Sequence, residues 1–323
     1  MRPRLHVLLA LVVAGCGAAA TPSPTASPTP ADPSAGWASA PGSTAIVPLP
    51  AWSQLAKGPE RVLVSVIDQQ NHLLAASTVA VHLRFFDLAA SRETPVAEAD
   101  GTFFWAIEGQ RGLYRASVVF PTAGRYGLEM TARRLAPPSP LPTTLDPLAN
   151  PRTARMIFDV AERGSVPAVG APAPASETPT LADAGGDPAK LSTDPNPDPR
   201  FYQVSVRAAL AAKKPFLLVF ATPAFCQSAL CGPTLDLVKR VVADFPTLTV
   251  IHVEPYVLQE RDGQLQPVLD AQGQLQPVAA VTEWGLLSEP YTFLVGADGT
   301  LAGRFEGPVD PGELTDAIGA LGG

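Results

Sequence analysis

Apolar and polar positions alternate in short runs through the first half of the chain. Val62, Val64 and Val66 point one way along a strand, and Asp68-Gln-Gln-Asn71 supplies turn chemistry. Val79, Val81, Leu83 and Phe85 share a second face, with His82 and Arg84 opposite. Runs at 103–107, 114–120 and 125–131 follow, each bounded by Gly, Pro or Asp. Several short strands at this spacing predict an all-β sandwich over 59–161. His82 falls on its polar face with no second His or Cys nearby in sequence, as expected of a solvent-facing side chain.

From Phe201 the period changes. Residues 201–212 have helical composition, and Phe216-Leu-Leu-Val-Phe220 is an unbroken apolar run suited to a central strand buried on both faces. Leu235, Val238, Val241 and Val242 form a helical stripe within 233–245, and 248–253 is a further strand. Strands at 291–295 and 301–305 flank Ala297-Asp-Gly-Thr300, a hairpin signal. Asp310-Pro311-Gly-Glu313 opens a last helix, with Asp310 as cap, Pro311 in the first turn and Glu313 completing a capping box. The alternation predicts an α/β domain over 199–323. Within it, Asp262-Gly-Gln-Leu-Gln-Pro-Val268 nearly repeats as Gln272-Gly-Gln-Leu-Gln-Pro-Val278, which reads as a small duplicated hairpin or a surface decoration.

Composition adds the connections. The 36 prolines cluster at 21–50 and 164–198, with few large apolar residues between them. Such segments bury too little surface to offset ordering entropy, so 17–58 reads as a disordered tether and 162–198 as a Pro/Ala-rich linker. A net charge of −7 without a basic run beyond the first residues argues against a nucleic-acid partner. Arg2 and Arg4 precede the short apolar stretch 5–13, which is too short to span a bilayer and fits an export signal. It ends in Val13-Ala14-Gly15-Cys16, which resembles the lipobox of bacterial lipoproteins. The resemblance implies lipidation at Cys16, a signal peptide over 1–16, and a protein anchored on the extracytoplasmic face of the cell membrane.

The remaining cysteines, Cys226 and Cys231, are five apart. In an oxidising compartment they are a candidate disulfide. Residues five apart in a regular helix have Cα atoms about 8.7 Å apart and point about 140° apart, too far for a bridge. Either Cys226 lies before the helix and the chain curls back, or the first turn unwinds on oxidation. A thiol at a helix N-terminus has its thiolate stabilised by free N–H groups, which makes Cys226 the nucleophile and Cys231 the resolving thiol. His252, on the 248–253 strand, is the sole histidine of this domain and reads as a core or surface residue. No four-ligand zinc set is visible, and no metal or cofactor is expected.

The order of elements over 200–321 resembles thioredoxin. Lys214-Pro-apolar strand, the cysteine after it, Pro233 near the helix start, Pro290 before Tyr291-Thr-Phe-Leu-Val295 and the Asp-Gly hairpin carry the likeness. It implies a cis-proline at Pro290, preceded by Glu289, that helps bind an extended substrate segment. It also implies thiol–disulfide exchange with exported protein thiols or a membrane redox partner. The chain departs from thioredoxin in three ways: four residues separate the thiols, Phe220 or Val219 stands where the buried aspartate should be, and Glu289 precedes Pro290. Thr222-Pro223 before Cys226 also resembles peroxiredoxins of the bacterioferritin-comigratory type, with one additional residue before the cysteine. A non-catalytic scaffold with a structural disulfide is the third reading. In the β region, Phe120-Pro-Thr-Ala-Gly-Arg-Tyr-Gly127 resembles the entry to a late strand of immunoglobulin-like domains, without their inter-sheet disulfide.

The lipobox reading has a direct check. Cys16→Ser is expected to shed the protein from the membrane fraction of an expressing cell, and unchanged membrane retention would refute it.

Overall fold

The computed structural model describes residues 32–38, 45–135 and 146–321. Cys16 and the apolar leader lie outside the described residues. Among the described residues, no helix is long and apolar enough to cross a membrane.

The described residues are mostly β-sheet with four α-helices. The N-terminal part contributes β1 (Ile46–Pro50), β2 (Leu55–Ala56), β3 (Gly58–Asp68), β4 (Val79–Asp87), β5 (Ala97–Asp100), β6 (Thr102–Ile107), β7 (Arg111–Phe120), β8 (Gly124–Arg134) and β9 (Arg152–Ala161). They form two sheets, ordered β1-β3-β7-β6 and β2-β9-β8-β4-β5. Val62, Val64 and Val66 of one sheet and Val79, Val81, Leu83 and Phe85 of the other enter a single core, as their alternation requires. His82 lies on the outer face against Glu98 and Asp100.

The expected tether at 17–58 extends too far. Val47 and Leu49 of β1 pair antiparallel with Ile67 and Ser65 of β3, and Ile46 and Leu55 are buried in the same core. Trp37 is also buried, against Phe86, with the Arg155 guanidinium over its ring. These few apolar residues in a proline-rich stretch have a partner surface, which composition alone does not register.

The C-terminal part contains α1 (Val206–Ala211), β10 (Phe216–Phe220), α2 (Cys231–Val242), β11 (Thr249–Val253), β12 (Leu258–Arg261), β13 (Gln264–Pro267), α3 (Ala279–Glu283), β14 (Tyr291–Val295), β15 (Leu301–Glu306) and α4 (Pro311–Leu321). Its main sheet runs β11-β10-β14-β15, with β11 parallel and β14 antiparallel to β10. Strand residues alternate between two apolar layers. Phe216, Leu218 and Phe220 meet α1, α3 and Trp284, while Leu217 and Val219 meet α2 and α4. This two-sided burial is why β10 reads as a continuous apolar run.

The expected linker at 162–198 is packed rather than free. Residues 170–173 exchange backbone hydrogen bonds with Gly299 and Leu301, along the edge of β15. Ser176 accepts from the Trp284 indole at 3.1 Å, and Thr178 Oγ1 accepts from the Val206 amide. Glu254 accepts from the Thr193 amide at 2.6 Å and from its hydroxyl at 2.7 Å. Prolines lack an N–H and favour extended backbone, so the segment lies flat while its remaining polar groups find partners on the folded body.

The two parts are joined by a charged junction. Arg61 donates to both carboxylate oxygens of Glu313, at 2.9 and 3.1 Å from Nε and 2.9 Å from Nη2, and to the Glu306 and Pro308 carbonyls. Arg304 pairs with Glu60 beside it. Asp310 caps α4 through the Glu313 amide at 2.9 Å, but the Glu313 side chain binds Arg61 instead of closing the expected capping box. A bidentate guanidinium is a stronger partner than a single amide.

Arg61→Ala leaves Glu313 and two carbonyls short of partners in a largely buried place. It is expected to lower the unfolding free energy by about 1.5–3 kcal/mol in urea titration. A loss within a few tenths of a kcal/mol would mean that the junction is solvated.

Candidate functional site

The loop between β10 and α2 sets the site. β10 ends at Phe220, and the chain leaves the sheet through Ala221 and Thr222, both fully buried. It turns at residues 223–230 and enters α2 at Cys231. Ala229 lies in the left-handed region at φ 59°, and its amide donates to the Cys226 carbonyl at 3.3 Å. That turn folds Cys226 back over the helix start. Cys226 and Cys231 form a disulfide with their Cα atoms 6.0 Å apart. Of the two geometries open to this spacing, the chain adopts the one in which Cys226 lies before the helix. The helix begins at Cys231, two residues earlier than its apolar stripe indicates, so Cys231 is its first residue.

The two sulfurs have different surroundings. Cys231 is fully buried among Leu235, Val238 and the underside of the sheet. Cys226 is half-buried, and its sulfur accepts from the Cys231 amide at 3.3 Å and sits 3.2 Å from the Ser228 hydroxyl. The Cys231 N–H is one of the free donors of the first helical turn, so the positive end of α2 points at the exposed sulfur. That arrangement favours negative charge on Cys226 over Cys231.

Glu289 and Pro290 stand beside the disulfide, and the bond between them is cis. A Glu289 carboxylate oxygen and both sulfurs lie within 4.8 Å of one another. Burial pushes the Glu289 carboxyl above the usual carboxylate range, and the Tyr256 hydroxyl, which donates to Oε2 at 3.0 Å, works against that rise. Tyr256 is a site residue that the sequence pattern did not single out. It opens the duplicated insertion, whose two copies stack around it. The first copy makes the β12–β13 hairpin at Asp262-Gly263, both with positive φ as a two-residue turn requires. Val257 hydrogen-bonds both copies, through Val268 and Gln276, and Tyr256 bridges to Pro277. The proline-rich strap of residues 162–198 also reaches the site, where Thr193 Oγ1 accepts from the Ala224 amide.

His252 is part of the core. Its Nε2–H donates to the Ala221 carbonyl at 2.9 Å, so Nδ1 accepts from the Tyr202 hydroxyl at 2.6 Å. Burial pushes its pKa down, against the pull of nearby Glu254, and the ring stays neutral. It supports the strand below the loop and is not gathered with the cysteines. Thr222 is fully buried, and its hydroxyl has no hydrogen-bond partner among the described residues. The contact with Cys226 that a peroxide-holding threonine would make is therefore not formed. Val219 and Phe220 are buried strand residues, so the thioredoxin aspartate has no counterpart there.

No protein-family model matches the chain, and no curated protein does. It is similar to a solved structure of MTB DsbF in its mixed oxidized and reduced forms. The two share 21% identity, over 36% of this chain and 86% of that one, with a TM-score of 0.27. At that level the chemistry has to be argued from this site's own geometry.

The asymmetry of the two sulfurs predicts an order of reactivity. In the reduced protein at neutral pH, iodoacetamide is expected to label Cys226 well before Cys231, as read by peptide mass spectrometry. Faster labelling of Cys231 would reverse the roles assigned to the two thiols.

Proposed function

We propose that this chain is a thiol–disulfide oxidoreductase of thioredoxin-like fold, held by a lipid on Cys16 at the extracytoplasmic face of the cell membrane. The observation that carries the reading is the pairing of a half-exposed sulfur, held by the first amide of α2, with a fully buried one. A structural staple has no use for that polarity, whereas exchange needs one reachable sulfur to be attacked and one shielded sulfur to leave. Cys226 is the nucleophile and Cys231 the resolving thiol. Glu289 and cis-Pro290 border the exposed sulfur, where an extended segment of an exported protein or of a membrane redox partner would lie.

The N-terminal part is proposed to be immunoglobulin-like. In support, the Tyr126 hydroxyl donates to the Thr122 carbonyl at 3.0 Å, the backward bond of a tyrosine corner. Its place is that of a docking module or spacer fixed to the redox domain through Arg61 and Arg304.

The reduction potential of the Cys226–Cys231 couple tests the reading, by thiol trapping in glutathione or dithiothreitol buffers. A value between about −270 and −120 mV is expected. A value below about −300 mV would identify a structural disulfide and overturn the proposal.

A further inference from the structure

Opening the disulfide puts an electron pair on a sulfur that water does not reach. Cys231 is fully buried among Leu235, Val238 and Val219, and an anion left there is costly. The first N–H of α2 is directed at Cys226 Sγ, so a proton is what would remove that cost. β10 offers none, because Val219 and Phe220 occupy the strand beneath the loop. The opposite wall does. Glu289 is half-buried, has an oxygen within 4.8 Å of both sulfurs, and is fixed by the Tyr256 hydroxyl.

Other charged and titratable groups near this wall are engaged elsewhere. Ser288 donates to Glu306, and Tyr291 faces Glu306 and Arg304. His252 is locked between Tyr202 and the Ala221 carbonyl. Glu254 accepts from Ser192 and Thr193. Tyr256 is thus the titratable side chain that acts on Glu289, and its own ionisation is pushed up by burial and by the Glu289 carboxylate.

We propose that the Glu289 carboxyl is the proton donor and acceptor for Cys231 during thiol–disulfide exchange, with Tyr256 as its positioning residue. The inference rests on the oxidoreductase reading. When a partner thiolate attacks Cys226 Sγ, a mixed disulfide forms, the Cys226–Cys231 bond breaks, and Cys231 Sγ departs with the electron pair and takes the Glu289 proton. In the reverse direction the Glu289 carboxylate takes the Cys231 proton. The freed thiolate attacks Cys226 Sγ and expels the partner as a thiolate. Two electrons move between the protein and a dithiol or disulfide partner, and the proton stays between Glu289 and Cys231. Burial keeps the carboxyl protonated to higher pH than an ordinary glutamate, which suits a donor in the disulfide state. The insertion then has a purpose, because its duplicated hairpins hold Tyr256 against Glu289.

The test uses the whole protein. The rate of Cys226–Cys231 reduction by dithiothreitol, divided by the concentration of dithiothreitol thiolate, is followed from pH 5 to 9 by thiol trapping. For the native chain this constant is expected to be highest in acid and to fall as Glu289 ionises. Glu289→Gln keeps an acceptor for Tyr256 and loses the proton. It is expected to be roughly tenfold or more slower on the acid side, to show no ionisation, and to meet the native curve in alkali. Glu289→Asp should retain an ionisation at a reduced rate. Tyr256→Phe should move the native ionisation upward, because the hydroxyl that stabilises the carboxylate is gone. Superimposable profiles for the native and Glu289→Gln proteins, with the potential of the couple still in the oxidoreductase range, would overturn the proton role alone. A native potential below about −300 mV would instead overturn the oxidoreductase reading beneath it.

Discussion

The hydrogen bond from the Cys231 amide to the Cys226 sulfur organises the site. Two cysteines five residues apart cannot share a regular helix and a bond. The chain resolves the conflict by starting α2 at the second cysteine and bending the first back over it through Ala229. One consequence is electrostatic: the half-buried sulfur accepts from the first N–H of the helix. Another is steric: the second sulfur is driven into the layer of apolar side chains between α2 and the sheet. The reactivity difference between the thiols follows from these two placements, with no other charged group needed.

That loop is held in place by its surroundings. β10 is buried on both faces and fixes the point of departure, and His252 bonds the Ala221 carbonyl where the loop begins. The proline-rich strap passes the same point and takes the Ala224 amide through Thr193. Lys239 on α2 reaches back to the Asn196 carbonyl and Asp194 of the strap. A segment with no regular strand or α-helix thereby braces both sides of the disulfide loop. Its contribution comes from backbone groups satisfied by the domain it covers.

Glu289 gives the site its chemical individuality. A carboxyl beside a buried thiol is useful only if it can hold a proton, and partial burial provides that. Tyr256 limits the effect, since its hydroxyl stabilises the charged form. Of the two, burial is the larger, so the carboxyl stays above the usual carboxylate range. The charged junction of Arg61, Glu313, Arg304 and Glu60 lies at the end of β15 and the first turn of α4, next to Gly307, whose amide donates to the Pro290 carbonyl, and it joins the β-sheet region to the C-terminal domain.

The sequence by itself determined the alternating faces of β3 and β4, the doubly buried β10, the cap at Asp310 and the candidacy of Cys226 and Cys231 for a disulfide. Each is a local pattern: period two, an unbroken apolar run, a capping residue, or a spacing that bond geometry restricts. Tertiary structure decided the rest. Residues 46–56 join the sheets and 162–198 pack because a surface exists to receive them, and composition reports only that such segments cannot fold alone. Glu313 leaves its capping box because Arg61, 252 residues away, offers a bidentate partner. Tyr256 meets Glu289 because the duplicated hairpins fold beside the cis-Pro290 wall. Contacts between residues distant in the chain depend on how the layers pack, and no local pattern encodes them.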